Sequence, residues 1–165
     1  MSNIKNIPRN RSALVRALRK LFEHRALWMY FLLDEARKNG LDGSKFAPQA
    51  IRRCGLYHGG QAANKGTSSS LKTLKRKLFK FPGKLIFEME FLRCTDDNFD
   101  VDFHYCPLVS AWQMQGCNDD DISAMCDFAM FGDRGIAETF GCELELPKTI
   151  ARGDDCCSIR FKRKK

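Results

Sequence analysis

The chain of 165 residues lacks the short motifs by which many enzymes are recognised. It has no Walker motif, no G-x-S-x-G and no G-x-G-x-x-G, so the usual signatures of nucleotide-binding enzymes and of α/β-hydrolases are missing. None of its eight cysteines forms a C-x-x-C pair, which removes the zinc-finger and thioredoxin-like spacings. Cysteine chemistry in this protein must therefore use residues that are far apart in the chain.

Long apolar runs are missing as well. The opening MSNIKNIPRNRS does not resemble a signal peptide, and no window approaches the roughly twenty apolar residues of a membrane span. We therefore expect a cytoplasmic protein without a membrane partner, with its cysteines kept as thiols. With 44% hydrophobic residues and thirteen Phe, the chain can bury a core without disulfides. Its length predicts a single α+β domain over residues 1–165, with 1–9 and 162–165 flexible.

Positive charge is in excess, with a formal net charge of +8. Much of it lies in the stretch Lys72–Lys84 and in the closing RFKRKK. A basic surface can attract nucleic acid, an acidic membrane surface or an anionic substrate, but it is more often a solvated helix face. No RNA-binding aromatic signature or DNA-binding helix pair accompanies the charges, so nucleic-acid binding is the weakest of three functional hypotheses.

Apolar residues recur at helical spacing in the first half of the chain and again after its centre. The predicted helices, with the residues that begin or end them, are 10–39 (ended by Gly40), 45–63 (capped by Ser44), a short basic helix from Ser70 that breaks at Pro82-Gly83, Pro107–Met114 (ended by Gly116) and a longer helix that Asn118 caps. NKGTSSS, residues 64–70, is predicted to be a loop.

Period-two alternation predicts the sheet. It gives two central strands over 84–94 and 99–106, joined by TDDN, and two closing strands over 142–150 and 156–165, joined by ARGDD. Helices that come first, followed by strands with helices inserted between them, predict an α+β fold. The sheet should be antiparallel, made of the central hairpin and the two closing strands.

The central hairpin carries the first candidate site. If its apolar faces match, the opposite face collects polar side chains, because a one-residue slip would invert every side chain. That face holds Glu88, Glu90, Asp102, His104 and Cys106. Cys106 also precedes Pro107 at a helix start, where unpaired N–H groups and the helix dipole favour a thiolate.

Three other interpretations of these residues stay open. His104 could deprotonate the Cys106 thiol, but residues two apart on a strand are about 6.6 Å apart, so direct contact does not follow. The face could simply meet water, with Cys106 as a small buried hydrophobe. A metal site formed by His104, Cys106, Cys126 and Cys157 would use widely scattered ligands, which is a weak signal.

Several longer segments are also distinctive. They are HRALWMYFLLDEARKNGLDGSKFAPQAIRRCGLYHGG, YCPLVSAW, MCDFAM and TIARGDDCCSIRF. Together they resemble the L-2-amino-thiazoline-4-carboxylic acid hydrolase family over most of the chain. The most specific parts are Cys106-Pro107, Cys126-Asp127, and Gly153-Asp154 with Cys157, where the spacing favours Cys157 over Cys156. The resemblance also predicts that Cys126 and Cys157 converge on Cys106.

The resemblance implies a small hydrolase that opens a cyclic amidine or a related non-peptide C–N bond. It implies a small substrate, which we expect to carry a carboxylate. We expect neither a cofactor nor a metal, and a homo-oligomer stays possible. Residue chemistry then suggests Cys106 as nucleophile and His104 as acid/base, with Asp102 or Glu90 orienting the imidazole. The substrate-binding residues we expect are Cys126, Arg152, Asp154 and Cys157, with Arg152 on the substrate carboxylate.

A second function class follows from the same resemblance. The segments are similar to those of small ligand-binding α+β domains related to vinyl-reductase accessory and vesicle-tethering proteins. The alternative is therefore a ligand- or metal-binding sensor domain with a cysteine-lined pocket and no turnover.

Overall fold

The structure, a computed structural model, describes residues 2–63 and 70–164. Within these residues the helices are α1 (Ala13–Lys38), α2 (Ala47–Ala62), α3 (Leu71–Leu78), α4 (Gly83–Ile86), α5 (Pro107–Met114) and α6 (Asp119–Thr139). The strands are β1 (Met89–Cys94), β2 (Asn98–Phe103), β3 (Cys142–Lys148) and β4 (Cys157–Arg163). They form one antiparallel sheet in the order β1-β2-β4-β3, which confirms the predicted α+β fold.

Most helix boundaries follow from residues within one turn of the helix end. Ser70 accepts a hydrogen bond from the Lys72 N–H at the start of α3, and Asn118 accepts one from the Asp121 N–H at the start of α6, as predicted. α5 occupies the predicted range, and Gly116, with a φ of 75°, ends it. The predicted loop lies outside the described residues except for Ser70.

Two N-terminal boundaries differ from the prediction. α1 begins three residues later than expected, because the Ser12 side chain accepts a hydrogen bond from the Val15 N–H. The predicted cap of α2, Ser44, is wrong. Instead the Asp42 carboxylate accepts hydrogen bonds from the Ser44 N–H and hydroxyl and holds a 3₁₀ turn over Gly43–Lys45, so α2 begins only at Ala47.

The central hairpin has the predicted register up to Phe91, and an irregularity between Phe91 and Arg93 then shifts the pairing by one residue. Met89 pairs with Phe103 and Phe91 with Val101, so the apolar faces coincide. The first predicted strand is too long, because α4 occupies its first residues and β1 begins only at Met89. The tertiary environment decides this: Ile86 is buried in the core, where the Arg19 side chain donates a hydrogen bond to its carbonyl at 3.1 Å.

The helices and the sheet enclose one apolar interior. β2 and β4 contribute fully buried aromatic side chains, Phe99 and Phe161, which stack at 5.9 Å. α2 packs closely on α6 through glycines, and a Cβ added to Gly55 would overlap the carbonyl of Gly132. This contact fixes how α6 lies against the rest of the domain.

The N-terminal segment before α1 packs against the domain. Ile4 is buried in the core, and the Gln113 side chain of α5 donates a hydrogen bond to its carbonyl at 3.1 Å. Asn6 makes two hydrogen bonds with the backbone of Cys106. The segment was predicted to be flexible, but it lies on the domain because these contacts satisfy its backbone and side-chain polar groups.

Candidate functional site

Three cysteines from distant parts of the chain meet in the interior, and we call them the thiol cluster. Cys106 lies at the start of α5, Cys126 lies on α6, and Cys157 is the first residue of β4. All three pack in one apolar cluster together with Ile4, Val109, Trp112 and Ile150. Cys157 and Cys126 lie close enough to Cys106 to act on the pKa of its thiol.

Thr149 connects two of these thiols. Its Oγ1 lies 3.6 Å from the Cys126 Sγ and 3.7 Å from the Cys157 Sγ. Asp154, predicted to bind substrate, accepts a hydrogen bond from the Thr149 N–H at 2.7 Å and so holds the turn that presents Thr149. The Cys157 Sγ also accepts a hydrogen bond from the Ile150 N–H at 3.4 Å. Cys156 lies beside Ser158 and not in the thiol cluster.

Cys106 is held by its backbone. Its N–H donates to the Asn6 Oδ1 at 2.9 Å, and its carbonyl accepts from the Asn6 Nδ2 at 2.8 Å. Pro107 begins α5, so Cys106 occupies the capping position. As a residue Cys106 is half-buried, whereas Cys126 and Cys157 are buried. This exposure belongs to the residue as a whole, because the Cys106 thiol is buried as deeply as the thiols of Cys126 and Cys157.

Burial keeps the thiol cluster uncharged. It raises the pKa of the Cys106 thiol far above its ordinary value, and the neighbouring thiols Cys157 and Cys126 raise it further, while the N–H groups of Val109 and Leu108 act in the opposite direction. Burial likewise raises the pKa of Cys157 to about 12, and it raises the pKa of Cys126. At neutral pH all three residues are therefore thiols in the free protein.

One titratable group near Cys126 was not among the residues predicted from the sequence. Asp133 lies two turns after Cys126 on α6, and burial raises its pKa to about 6, although Arg25 and Arg134 act to lower it. Its charge is close enough to raise the pKa of Cys126. The signal was present in the sequence, because an aspartate seven residues after Cys126 falls on the apolar stripe of a helix.

The predicted acid/base residues lie on the other face of the sheet. Phe103 pairs with Cys157 and Asp102 with Ser158, so Asp102 and Cys157 point to opposite sides. Asp102 forms an ion pair with Arg160 at 2.7 Å. The structure thus places Asp102 away from the thiol cluster.

His104 and the two glutamates of the predicted polar face are likewise not in contact with Cys106. The His104 Nε2 lies 2.9 Å from the Glu90 Oε2, so these two residues are brought together, but with each other and not with Cys106. Strand alternation ends at Phe103, and parity therefore no longer puts Cys106 beside His104. Glu88 leaves the predicted face through a left-handed backbone conformation, with a φ of 51°, and pairs with Arg19 at 2.8 Å.

Arg152 lies on the same turn as Thr149. It ends the 3₁₀ turn that follows Thr149, and its guanidinium donates to both carboxylate oxygens of Asp127, at 2.8 and 3.1 Å. Its charge acts to lower the pKa of the Cys126 thiol. Arg152 is largely exposed, so an anion that approaches the cluster could meet it.

Within residues 2–63 and 70–164, no three His, Cys, Asp or Glu side chains are arranged to hold a metal ion. The helices of this part of the chain also include none that is both long and apolar enough to cross a membrane. An open cavity of about 530 Å³ lies between α1 and the start of α6. Met125 lines this cavity and also packs in the apolar cluster that holds the three cysteines.

The fold and the site define a small α+β domain with thiols gathered between its helices and its sheet. The family model of the L-2-amino-thiazoline-4-carboxylic acid hydrolases matches residues 19–161, and the chain therefore belongs to this family. No curated protein matches the chain.

One solved structure supports the fold. It is a crystal structure of trafficking protein particle complex subunit 3 from Naegleria fowleri, covalently bound to palmitic acid. The match has a TM-score of 0.54 and 18% sequence identity, and it covers 87% of this chain and 95% of that chain. At this identity the likeness concerns the fold alone.

Proposed function

We propose that the protein is a hydrolase that opens a cyclic amidine or a related non-peptide C–N bond at the thiol cluster. The observation that carries this proposal is the convergence of Cys106, Cys126 and Cys157 from α5, α6 and β4. Family membership supports the reaction class, since the thiazoline in the family's name is a cyclic amidine. The carbon between the two heteroatoms of such a ring is electrophilic, and a thiolate is a suitable nucleophile for it.

Cys106 is our candidate nucleophile. It is the one cysteine of the cluster that stands at a helix start, where the N–H groups of Leu108 and Val109 act to lower its pKa. Because the free thiol is uncharged, something else must stabilise the thiolate. His104 is bonded to Glu90 on the other face of the sheet, so we assign this role to the substrate itself. A protonated amidine is a cation, and a nearby cation favours a thiolate.

Two charged residues fit the two ends of such a substrate. Above about pH 6 the Asp133 carboxylate is ionised and could hold the amidinium group. Arg152 remains our candidate for the substrate carboxylate, because its charge reaches Cys126. Asp133 and Arg152 would thus orient the ring between them, with its electrophilic carbon toward Cys106.

The reaction then proceeds in two stages. The Cys106 Sγ forms a bond to the amidine carbon, and the C=N electron pair moves onto nitrogen. The ring nitrogen takes up the proton given up by the thiol. As the bond from the carbon to the ring nitrogen breaks, the exocyclic nitrogen forms a C=N bond with its lone pair and passes a proton to the departing amine. Water adds to this C=N bond and gives one proton to its nitrogen. Sγ then leaves with its electron pair as a C=O bond forms, and it takes the remaining proton of that water.

The test is ring opening of L-2-amino-thiazoline-4-carboxylate by the purified chain, followed as substrate loss and product appearance by chromatography. Cys106→Ser should lower the rate at least about a hundredfold, because it removes the nucleophile. Cys54→Ser is the matched control, since Cys54 is exposed and outside the cluster, and it should leave the rate unchanged. A Cys106→Ser variant that folds and keeps the wild-type rate would exclude the nucleophile.

A second candidate function, ligand binding without turnover, is favoured by the uncharged state of the thiols. Buried neutral thiols are apolar in character and suit a hydrophobic ligand. The solved structure of similar fold carries a covalently bound fatty acid. Calorimetric binding of the thiazoline or of a fatty acid, with no product formed over hours, would support this candidate over the hydrolase.

A further inference from the structure

The outward side of α1 carries a row of large apolar side chains that the described residues leave uncovered. We call it the α1 row, and its members are Leu14, Leu21, Trp28, Phe31 and Leu32, with exposed fractions between 50% and 68%. Leu14, Leu21 and Trp28 follow one another at intervals of seven residues. Phe31 and Leu32 lie three and four residues after Trp28, so all five side chains are on one side of the helix. The row extends over about 27 Å of helix. An apolar surface of this length usually marks an interaction site.

The surroundings of the α1 row are positively charged. Arg16, Lys20 and Arg25 are exposed on the same helix, and Arg9 and Arg11 are exposed on the segment before it. From residue 2 to residue 33, the sequence contains a single acidic residue, Glu23. Glu23 is half-buried, so the surface around the first two turns of the row presents cations almost alone.

We propose that the α1 row is a docking surface for an anionic lipid bilayer. The helix would lie in the plane of the membrane, with its leucines and Trp28 among the headgroups and the basic side chains on the lipid phosphates. Aromatic and aliphatic side chains flanked by Lys and Arg are the features of helices that bind at this interface. Opposite charge then draws the surface to the membrane, and the apolar row holds it there.

Charge also decides against a second copy as the occupant. A two-fold pairing of α1 with itself about Leu21 would place Lys20 of each chain beside Lys20 of the other. Like charges that face each other across an interface oppose association. The expectation of no membrane partner came from the missing transmembrane segment, and a helix that lies on the surface needs no such segment.

The protein carries its own reporter for this proposal. Trp112 is fully buried and donates a hydrogen bond to the Ala26 carbonyl, whereas Trp28 is exposed. A change in tryptophan emission on addition of vesicles therefore reports on Trp28. We expect a blue shift with phosphatidylcholine vesicles that contain about one third phosphatidylserine, little shift with pure phosphatidylcholine, and loss of the shift at high salt.

Substitutions separate the contribution of the apolar row from that of the basic side chains. Leu21→Glu should abolish both the shift and co-sedimentation with the vesicles, and Lys20→Glu should weaken binding about tenfold. Met114→Glu is the matched control, since Met114 is an equally exposed apolar residue at the end of α5, and it should bind like the wild type. Trp28→Phe should remove the shift but keep co-sedimentation.

Three results would overturn the proposal. The first is equal binding to charged and uncharged vesicles. The second is co-sedimentation without any change at Trp28, which would indicate another surface, such as the basic stretch Lys72–Lys84. The third is a blue shift that needs no lipid, grows with protein concentration and accompanies a doubled mass, which would show that a second copy covers the row.

Discussion

Replacement of Asp133 by Asn tests the electrostatics of the thiol cluster most directly. Burial raises the pKa of this carboxyl from 3.8 to about 6 in the folded protein. Between these values the unfolded chain gives up its proton while the folded protein keeps it. The free energy of unfolding therefore falls as the pH rises from about 4, and the full decrease is reached above about pH 6.

The magnitude follows from the shift. A difference of about two pKa units, at about 1.4 kcal/mol each, gives a ceiling of about 3 kcal/mol at neutral pH. Asp133 is partly exposed, so solvent screening reduces this to about 2 kcal/mol. Asn cannot ionise, so Asp133→Asn should be more stable than the wild type by about that amount at pH 7.5, and by little at about pH 4.

The assay is urea unfolding followed by circular dichroism, with the wild type and the variant compared at both pH values. Ala124→Gln, at an exposed position on the same helix without a titratable group, is the control, and its difference from the wild type should be the same at both pH values. If the Asp133→Asn difference is also independent of pH, the carboxyl is well solvated and our reasoning fails. If Asp133 holds the amidinium, the variant should also raise KM for the thiazoline.

Three further predictions concern packing, a buried ion pair and the thiols. Gly55→Ala should destabilise the domain by about 3 kcal/mol, because the new Cβ has no room between α2 and α6. Gly60→Ala is the control, since a Cβ there meets open space, and equal melting temperatures of the two variants would contradict this prediction. Arg19→Met should lower the free energy of unfolding by about 3 to 5 kcal/mol, because it leaves Glu88 as an unpaired buried charge. Adding Glu88→Gln should restore part of this stability, and a double variant no more stable than Arg19→Met would contradict the pairing. Iodoacetamide should label the exposed Cys54 first at neutral pH and the thiol cluster only as the pH rises, and selective labelling of the cluster at neutral pH would refute its raised pKa values.

Local features of the fold were predictable from the sequence because their causes lie within a few residues. Ser70 and Asn118 cap helices through N–H groups two or three positions away. The register of the central hairpin follows from the parity of its apolar residues. The same local reasoning failed at Ser44, where an aspartate two residues earlier competes for the same backbone donors.

Among the site residues, too, some features could be predicted from the sequence and others could not. The residues of the thiol cluster could be named from the sequence, because the resemblance carried them as short motifs around Cys106, Cys126 and Cys157. The partnership of Cys106 with His104 could not be predicted, because it assumed that strand alternation continued past Phe103. The strand ends there, and the chain turns Cys106 into the interior.

The sequence by itself determined the fold class, the caps of α3 and α6, the hairpin register up to Phe91 and the identity of the cysteines. The tertiary structure alone decided which groups share an environment. β4 pairs with β2 so that Cys157 faces inward and Asp102 outward, and the glycine contact of α2 with α6 sets where Cys126 and Asp133 lie. The physical reason is range: capping and alternation act over two to four residues. Burial, which sets the protonation of the thiols and of Asp133, depends on elements far apart in the chain.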